Sequence, residues 1–439
     1  MSEDAATTSS ERFGDGMGLS LGEGFVRHNS FDAKRRRLWV HGPKPEFWDD
    51  EDVYDQWYMS ARTIALVRPG LDVIILPGGN EQLRDFAQFC ARILGLQAWQ
   101  ILWTSGASYL LDDDITREFL PRLRELLGGG EQWEIVPYAV TEPFMRWAGE
   151  LPRVPVFGDD ADFVARFSNK ACLCPDVPGS RNRRTLPLLP DRIAGLRTAR
   201  GYAAYDYADL RRAIDLLASQ GIDYFAIKPV VGTTGEGILF VPADSQHIAT
   251  YDFPMGPVLV EERLKIDCAA GGGQIAPSVQ YFGTELFPAV TDQICYGAVY
   301  YGNVFPSVAP AAFQQEMREM AQALIDHLHP QGPGGFDFLS VGGRPVLSDP
   351  NVGRFTAAFP ARIFSELYAP RSPFVCWKVR AFDTVFDFWA ALQSKGAAFK
   401  DGRGVFPLCY LPGMWSMLGA FADTPEEVKR LRAIADACI

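Results

Sequence analysis

The sequence predicts a multidomain protein of mixed class: α/β with a parallel sheet at its N-terminal end, α+β beyond it. Three features carry this reading: strand-helix alternation over the first third, a β-rich stretch from Tyr224 to Asn351 interrupted by one helix, and a short C-terminal segment. In the first third, Leu38 to Val40, Val73 to Leu76, Gln100 to Trp103 and Glu134 to Tyr138 read as strands. Glu81 to Leu96 reads as a helix, its apolar face formed by Leu83, Phe86, Cys90, Ile93 and Leu94, with Asn80 as N-cap. Alternation of this kind places helices on the faces of a parallel sheet. From about residue 154 to 221 the pattern becomes more helical. It includes an exposed basic loop, GSRNRRTLPLLPDR, and a helix from Asp206, its N-cap, to the stop at Gly221. The helix Phe313 to Leu328 repeats Phe313, Met317, Met320, Ala321 and Leu324 at core spacing. Val405 to Phe421, interrupted by Pro407, Pro412 and Gly413, reads as a buried irregular segment. Thr424-Pro425-Glu426-Glu427 is a capping box that opens the last helix.

Composition narrows the function. The 439 residues suggest about three domains. Residues 1–30 are too polar to order themselves and read as a mobile tail. A net charge of -12 argues against a nucleic-acid surface, and the one basic cluster, Lys34 to Arg37, reads as a solvated strand entrance. Eight cysteines without a CxxC pair read as reduced thiols, and Cys172 and Cys174 alone cannot build a metal site. His327 and His329, two residues apart at a helix end, face different ways. The N-terminus is acidic where a signal peptide would be basic, and no run of about 18 apolar residues follows, so a cytoplasmic location without membrane contact is expected.

The chemistry concentrates in two places. In GGFDFLSVGGRPVLSDPN, residues 334–351, apolar runs flank Gly342-Gly343-Arg344, a hairpin signal. A three-residue loop closed by a left-handed glycine would set Asp337 opposite Asp349, with Asn351 two positions later on the same face, whereas a two-residue loop would separate the aspartates. Opposed like charges destabilise a sheet unless a cation lies between them, and Mg²⁺ bound to a nucleotide takes such oxygen ligands. A solvent-facing acidic hairpin is the plain alternative. The second place is the strand Phe225 to Val231, with Lys228 toward its end, the loop Gly232-Thr233-Thr234-Gly235-Glu236-Gly237, and the strand Ile238 to Val241. It lacks the helix that a P-loop or dinucleotide fold requires, so its glycines suit a flap closing over phosphates. Pro257 to Glu262 adds an apolar strand that ends in two acids.

The order of Lys170, the Lys228 strand with its glycine hairpin, the strand ending at Glu261 and Glu262, and then Asp337, Asp349 and Asn351 resembles the ATP-grasp superfamily over roughly residues 154–365. The strand-helix region, 31–153, is similar to the preATP-grasp domain, and 366–439 would be a C-terminal extension that shapes the substrate site. The resemblance implies ATP and Mg²⁺. Lys170, Lys228, Gly232, Thr233, Thr234, Gly235, Gly237, Glu261, Glu262 and Asp267 would bind the nucleotide, and Asp337, Asp349 and Asn351 the metal. Arg354 and Arg362 compete for the role of the catalytic arginine, because Asp349-Pro350-Asn351-Val352-Gly353-Arg354 has one residue more than the family's usual spacing. Within the superfamily, SDPNVGRFTAAFPARIF and the segment from WKVR are most similar to pheganomycin-type peptide ligases of antibiotic biosynthesis. That likeness implies joining an amino-acid-like carboxylate to the amine of a peptide or amino acid through an acyl phosphate. A homodimer is one assembly open to the chain, whose oligomeric state the sequence does not fix. The rival readings are a small-molecule kinase and a non-catalytic nucleotide-binding regulatory protein.

Overall fold

The computed structural model describes residues 35–41, 60–79, 81–104, 113–128, 132–151, 154–181, 188–230, 235, 237–244, 248, 256–269, 272–287, 290–370, 372–380, 382–410 and 415–439. The expected tail, the cap Asn80, part of the basic loop, and Gly232, Thr233, Thr234 and Glu236 of the glycine loop lie outside these residues.

The first sheet is parallel, built from β1 (Arg36–Val40), β2 (Val73–Leu76), β3 (Ile101–Trp103) and β4 (Trp133–Pro137) in the order β3-β2-β1-β4. Its strands are buried on both faces. Trp39, Ile74, Leu76 and Val136 enter one core, while Leu38, Val40, Val73, Ile75 and Ile135 enter another. This is the near-continuous apolar pattern of a sheet covered on both sides. The helix Glu81–Leu94 covers the first face through Leu83, Phe86, Phe89 and Cys90. Arg37 corrects the solvated-entrance expectation: it is buried and ion-paired with Glu134 at 3.0 Å, and its backbone N-H donates to Asp72.

A second sheet, antiparallel, orders β5 (Gly201–Ala204), β6 (Tyr224–Pro229), β7 (Leu239–Pro242) and β8 (Val258–Glu262) as β5-β8-β6-β7. The helix Tyr207–Ser219, whose N-cap Asp206 accepts from the Asp209 N-H, covers it.

The third sheet has nine strands: β9 (Pro277–Phe282), β10 (Glu285–Leu286), β11 (Thr291–Tyr296), β12 (Val299–Phe305), β13 (Pro333–Val341), β14 (Arg344–Asn351), β15 (Phe374–Arg380), β16 (Gly404–Tyr410) and β17 (Trp415–Phe421). Its order is β14-β13-β9-β11-β12-β15-β17-β16, with β10 beside β9. The C-terminal segment therefore extends the sheet that carries the aspartates. The irregular segment expected at 405–421 is instead β16 and β17. Both strands are buried on both faces, so no alternation marked them, and Pro407 stands at a break in their register, where a missing N-H costs least.

The hairpin of β13 and β14 departs from expectation instructively. Its turn is two residues, Gly342 and Gly343, both at positive φ, which alone would separate the aspartates. A bulge at Ser348 restores the pairing: Val341 opposes Arg344 and Phe338 opposes Leu347, yet Asp337 opposes Asp349. One extra residue on one strand shifts the register by one. Among the described residues all eight cysteines are free thiols, and no helix is long and apolar enough to cross a membrane.

Candidate active site

Strand pairing positions the first lysine. Across β6 and β8, Lys228 opposes Leu259 and Ala226 opposes Glu261, which makes Lys228 and Glu261 diagonal neighbours on one face. Their Nζ and Oε2 atoms are 2.6 Å apart, and both side chains are buried. Burial alone would lower the Lys228 pKa, but Glu261 outweighs it and holds the ammonium above its ordinary value. The Ser348 carbonyl, at the bulge, accepts from Lys228 Nζ at 3.4 Å. The second lysine opens a single-turn helix, Lys170–Leu173, and its backbone N-H donates to the Val230 carbonyl just beyond β6. Lys170 Nζ reaches Asp349 Oδ2 at 3.1 Å. Burial lowers its pKa, Asp349 partly offsets this, and Arg354 and Lys228 add to the lowering.

The carboxylates complete the arrangement. Asn351 donates from Nδ2 to Asp337 Oδ2 at 2.8 Å, while its own Oδ1 accepts from Arg354 Nη2 at 2.6 Å. Burial and then the charge of Asp349 push the Asp337 carboxyl up to about 6, against hydrogen bonds from Ser278, Asn351 and Gln293. Asp349 Oδ1 is buried without a hydrogen-bond partner. Two opposed carboxylates, one with an orphaned buried oxygen, form a donor set that fits one Mg²⁺ carrying phosphate ligands. Among the described residues no group of three His, Cys, Asp or Glu could hold a metal alone, so the remaining ligands would come from nucleotide and water. Asn351 braces Asp337 and Arg354, and would have to release the arginine to offer its oxygen.

The raised Asp337 carboxyl makes a prediction about pH. Its folded-state pKa lies above its unfolded value, so its contribution to stability is present at low pH and is lost as pH rises from about 4 through 6. Asp337→Asn is expected to raise the thermal midpoint of the metal-free protein at pH 7.5 by a few degrees and to flatten its loss between pH 4 and 7. Calorimetric scans of both proteins check this.

A cavity of about 760 Å³ gathers Lys170, Lys228, Gly235, Glu261, Glu262, Asp337, Asp349, Asn351 and Arg354. Gly235, at φ +77°, presses on the β11-β12 turn: a Cβ there would lie 1.8 Å from the Ala298 carbonyl oxygen. Gly235→Ala is therefore expected to lift the loop and raise the KM for ATP several-fold with a smaller effect on kcat, readable from saturation curves. Gly237, at φ +75°, packs near Pro229 outside the cavity lining.

Two predicted site residues are not brought in. Asp267 lies outside the cavity lining, and its carboxylate accepts from Ser340 Oγ and from the backbone N-H groups of Gly342 and Gly343 at the hairpin turn. Arg362 lies against the Phe287 and Phe305 rings and pairs with Glu366 at 2.9 Å, outside the cavity lining. Of these two candidate arginines, Arg354 lines the cavity. Glu262 reaches the cavity but is fixed by Arg200, which donates to it from Nη2 at 2.7 Å and from its backbone N-H at 2.9 Å. Sequence reading missed Arg62, Tyr138, Ser278, Gln293, Asn303, Lys378 and Trp415, which also line the cavity.

Comparison with known proteins follows the same lines. Residues 60–152 match the family described as the pre ATP-grasp domain. No curated protein sequence matches the chain. Among solved structures, an N5-carboxyaminoimidazole ribonucleotide synthetase in complex with ADP is similar at TM-score 0.56 and 10% identity, over 94% of this chain and 98% of that one. The Aspergillus clavatus N5-carboxyaminoimidazole synthase, bound to ADP and its aminoimidazole ribonucleotide, is similar at TM-score 0.55 and 11% identity, over 93% and 99%. The biotin carboxylase domain of Hydrogenobacter thermophilus 2-oxoglutarate carboxylase, in complex with MgADP and bicarbonate, is similar at TM-score 0.53 and 14% identity, over 91% and 89%. Residues 60–152 thus match a pre ATP-grasp domain, and over nearly its whole length the chain has the fold of the N5-carboxyaminoimidazole ribonucleotide synthetases.

Proposed function

We propose that this protein is an ADP-forming, ATP-dependent ligase that joins a carboxylate to an amine, with an amino-acid-like acid and a peptide or amino-acid amine as substrates. The observation that carries the reading is the convergence of Lys170, Lys228, Asp337 and Asp349 on one cavity beneath a glycine-loop tip. Lys228 and Lys170 are point charges suited to nucleotide phosphates. Asp337 and Asp349 would hold Mg²⁺, which when bound offsets charge on the transferring phosphoryl group. A carboxylate oxygen of the acid attacks the γ-phosphorus, ADP departs, and an acyl phosphate forms. Arg354, oriented by Asn351, faces the developing negative charge. The amine nitrogen then attacks the acyl carbon, phosphate leaves with the C-O bond electrons, and the nitrogen loses a proton to give the amide. Gly235, packed against the Ala298 turn, helps keep water from the acyl phosphate. No side-chain nucleophile is required. The narrower peptide-ligase reading is supported by the likeness of residues 348–364 and of the segment from Trp377 to pheganomycin-type ligases. A cytoplasmic homodimer belongs to the same proposal.

The test is a screen of candidate acids and short peptides for amine-dependent ADP release, with mass analysis of products. An amide with stoichiometric ADP and phosphate supports ligation. A stable phosphorylated product without amide would point to a kinase, and nucleotide binding without turnover to a regulatory protein.

A further inference from the structure

The floor of the cavity is one face of the nine-stranded sheet. Asp337 opposes Ser278 on β9, Ser278 opposes Thr291 on β11, Gln293 opposes Asn303 on β12, and Asn303 opposes Cys376 on β15. Side chains two apart along a strand share a face, so Lys378 belongs to the same surface as Asp337, and both line the cavity. The two are four strand spacings apart, about 19 Å measured along the sheet. The pre-ATP-grasp region supplies Arg62 from another direction, its guanidinium 5.0 Å from the Tyr138 ring centroid. Lys378 Nζ stands 4.3 Å from the Trp415 centroid and 5.9 Å from that of Tyr300. Arg62 and Lys378 both line this cavity, and Lys378 opposes Met417, which in turn opposes the buried Cys409, a thiol whose pKa burial raises and both cations lower. The acids lining the cavity among the described residues, Glu261, Glu262, Asp337 and Asp349, all belong to its nucleotide end.

We propose that Arg62 and Lys378 form a carboxylate-binding subsite for the amine substrate, which is a short peptide with a free C-terminus. This rests on the ligase reading and names its acceptor class. The span suits such a substrate. An extended residue covers about 3.3–3.6 Å, so two or three of them bridge the distance left beyond the acyl group, where a single amino acid falls short. The cations sit against aromatic rings, which limits where their charges can point and favours one position for the bound carboxylate.

The experiment uses the full chain saturated with Mg²⁺ and ADP, titrated calorimetrically with Ala-Ala-Ala and Phe-Ala-Ala, each as free acid and as C-terminal amide. The free acids are expected to bind at least tenfold more tightly than the amides. In Lys378→Met and Arg62→Gln the ratio is expected to fall below twofold with ADP affinity retained, and Lys378→Arg should preserve it. Equal binding of acid and amide by the unaltered protein, including binding of neither, overturns the proposal, as does an unchanged ratio in both variants. If a variant fails to fold, the acid-amide comparison on the unaltered protein decides alone. Failure here is separable from failure of the ligase reading. ADP release independent of any amine would sink ligation whatever the peptide preference, whereas amide formation without a free-acid preference would sink only this subsite.

Discussion

Asp349→Asn is expected to reduce ADP release by two to three orders of magnitude while the protein stays folded, the scale set by losing one preorganised charge at a phosphoryl-transfer site. Asp349 does two things at once. It opposes Asp337 across the hairpin, and its Oδ2 faces Lys170 Nζ at 3.1 Å while Oδ1 is buried without a hydrogen-bond partner. The asparagine keeps the shape but removes the charge that both a divalent cation and Lys170 require. Folding should survive, because relief of repulsion with Asp337 offsets the lost ion pair. A coupled assay for ADP, run beside circular dichroism, makes the comparison. Turnover within threefold of the unaltered enzyme would show that the carboxylate pair is not the metal site.

Lys228→Met is expected to have a second large effect, on folding as well as on nucleotide binding. Lys228 and Glu261 form a buried pair 2.6 Å apart. Removing one partner of such a pair leaves a buried charge and costs about 3–5 kcal/mol. The double substitution Lys228→Met with Glu261→Gln removes both charges and is expected to recover most of that stability. It should not recover ADP affinity, because the phosphate contact is still missing. Denaturant titration and ADP binding of the single and double variants separate the two roles. If the double variant binds ADP as the unaltered protein does, Lys228 serves only its pair with Glu261.

Much of this site was legible in the sequence because its residues lie on local patterns. The strand-glycine-strand order around Lys228 and the paired apolar runs around Gly342-Gly343 each specify a hairpin, and hairpin register decides which side chains meet. The register of the aspartates was nonetheless anticipated through the wrong turn: the actual loop is shorter by one residue, and the Ser348 bulge, which has no compositional mark, restores the alignment. Arg354 and Arg362 could not be ranked by spacing. The extra residue before Arg354 is absorbed at Gly353, at φ +71°, whereas Arg362 sits on the helix Phe359–Tyr368 and turns to the aromatic slot. Asp267 illustrates the opposite hazard: it follows β8 closely in sequence, yet its carboxylate caps the Gly342-Gly343 turn outside the cavity lining. Arg62 and Lys378 are more than 300 residues apart, one in the N-terminal region and the other on the nine-stranded sheet, and only the packing of the whole fold lets both line one cavity. No local pattern encodes such a meeting.

The central claim is that Asp337 and Asp349 together hold the metal of a magnesium-nucleotide complex. A crystal structure with Mg²⁺ and a non-hydrolysable ATP analogue measures this directly. One Mg²⁺ should lie about 2.1 Å from a carboxylate oxygen of each aspartate and bridge the terminal phosphates, with Lys228 and Lys170 on the phosphate oxygens. A metal coordinated elsewhere, or phosphates lying away from both lysines, would contradict the account.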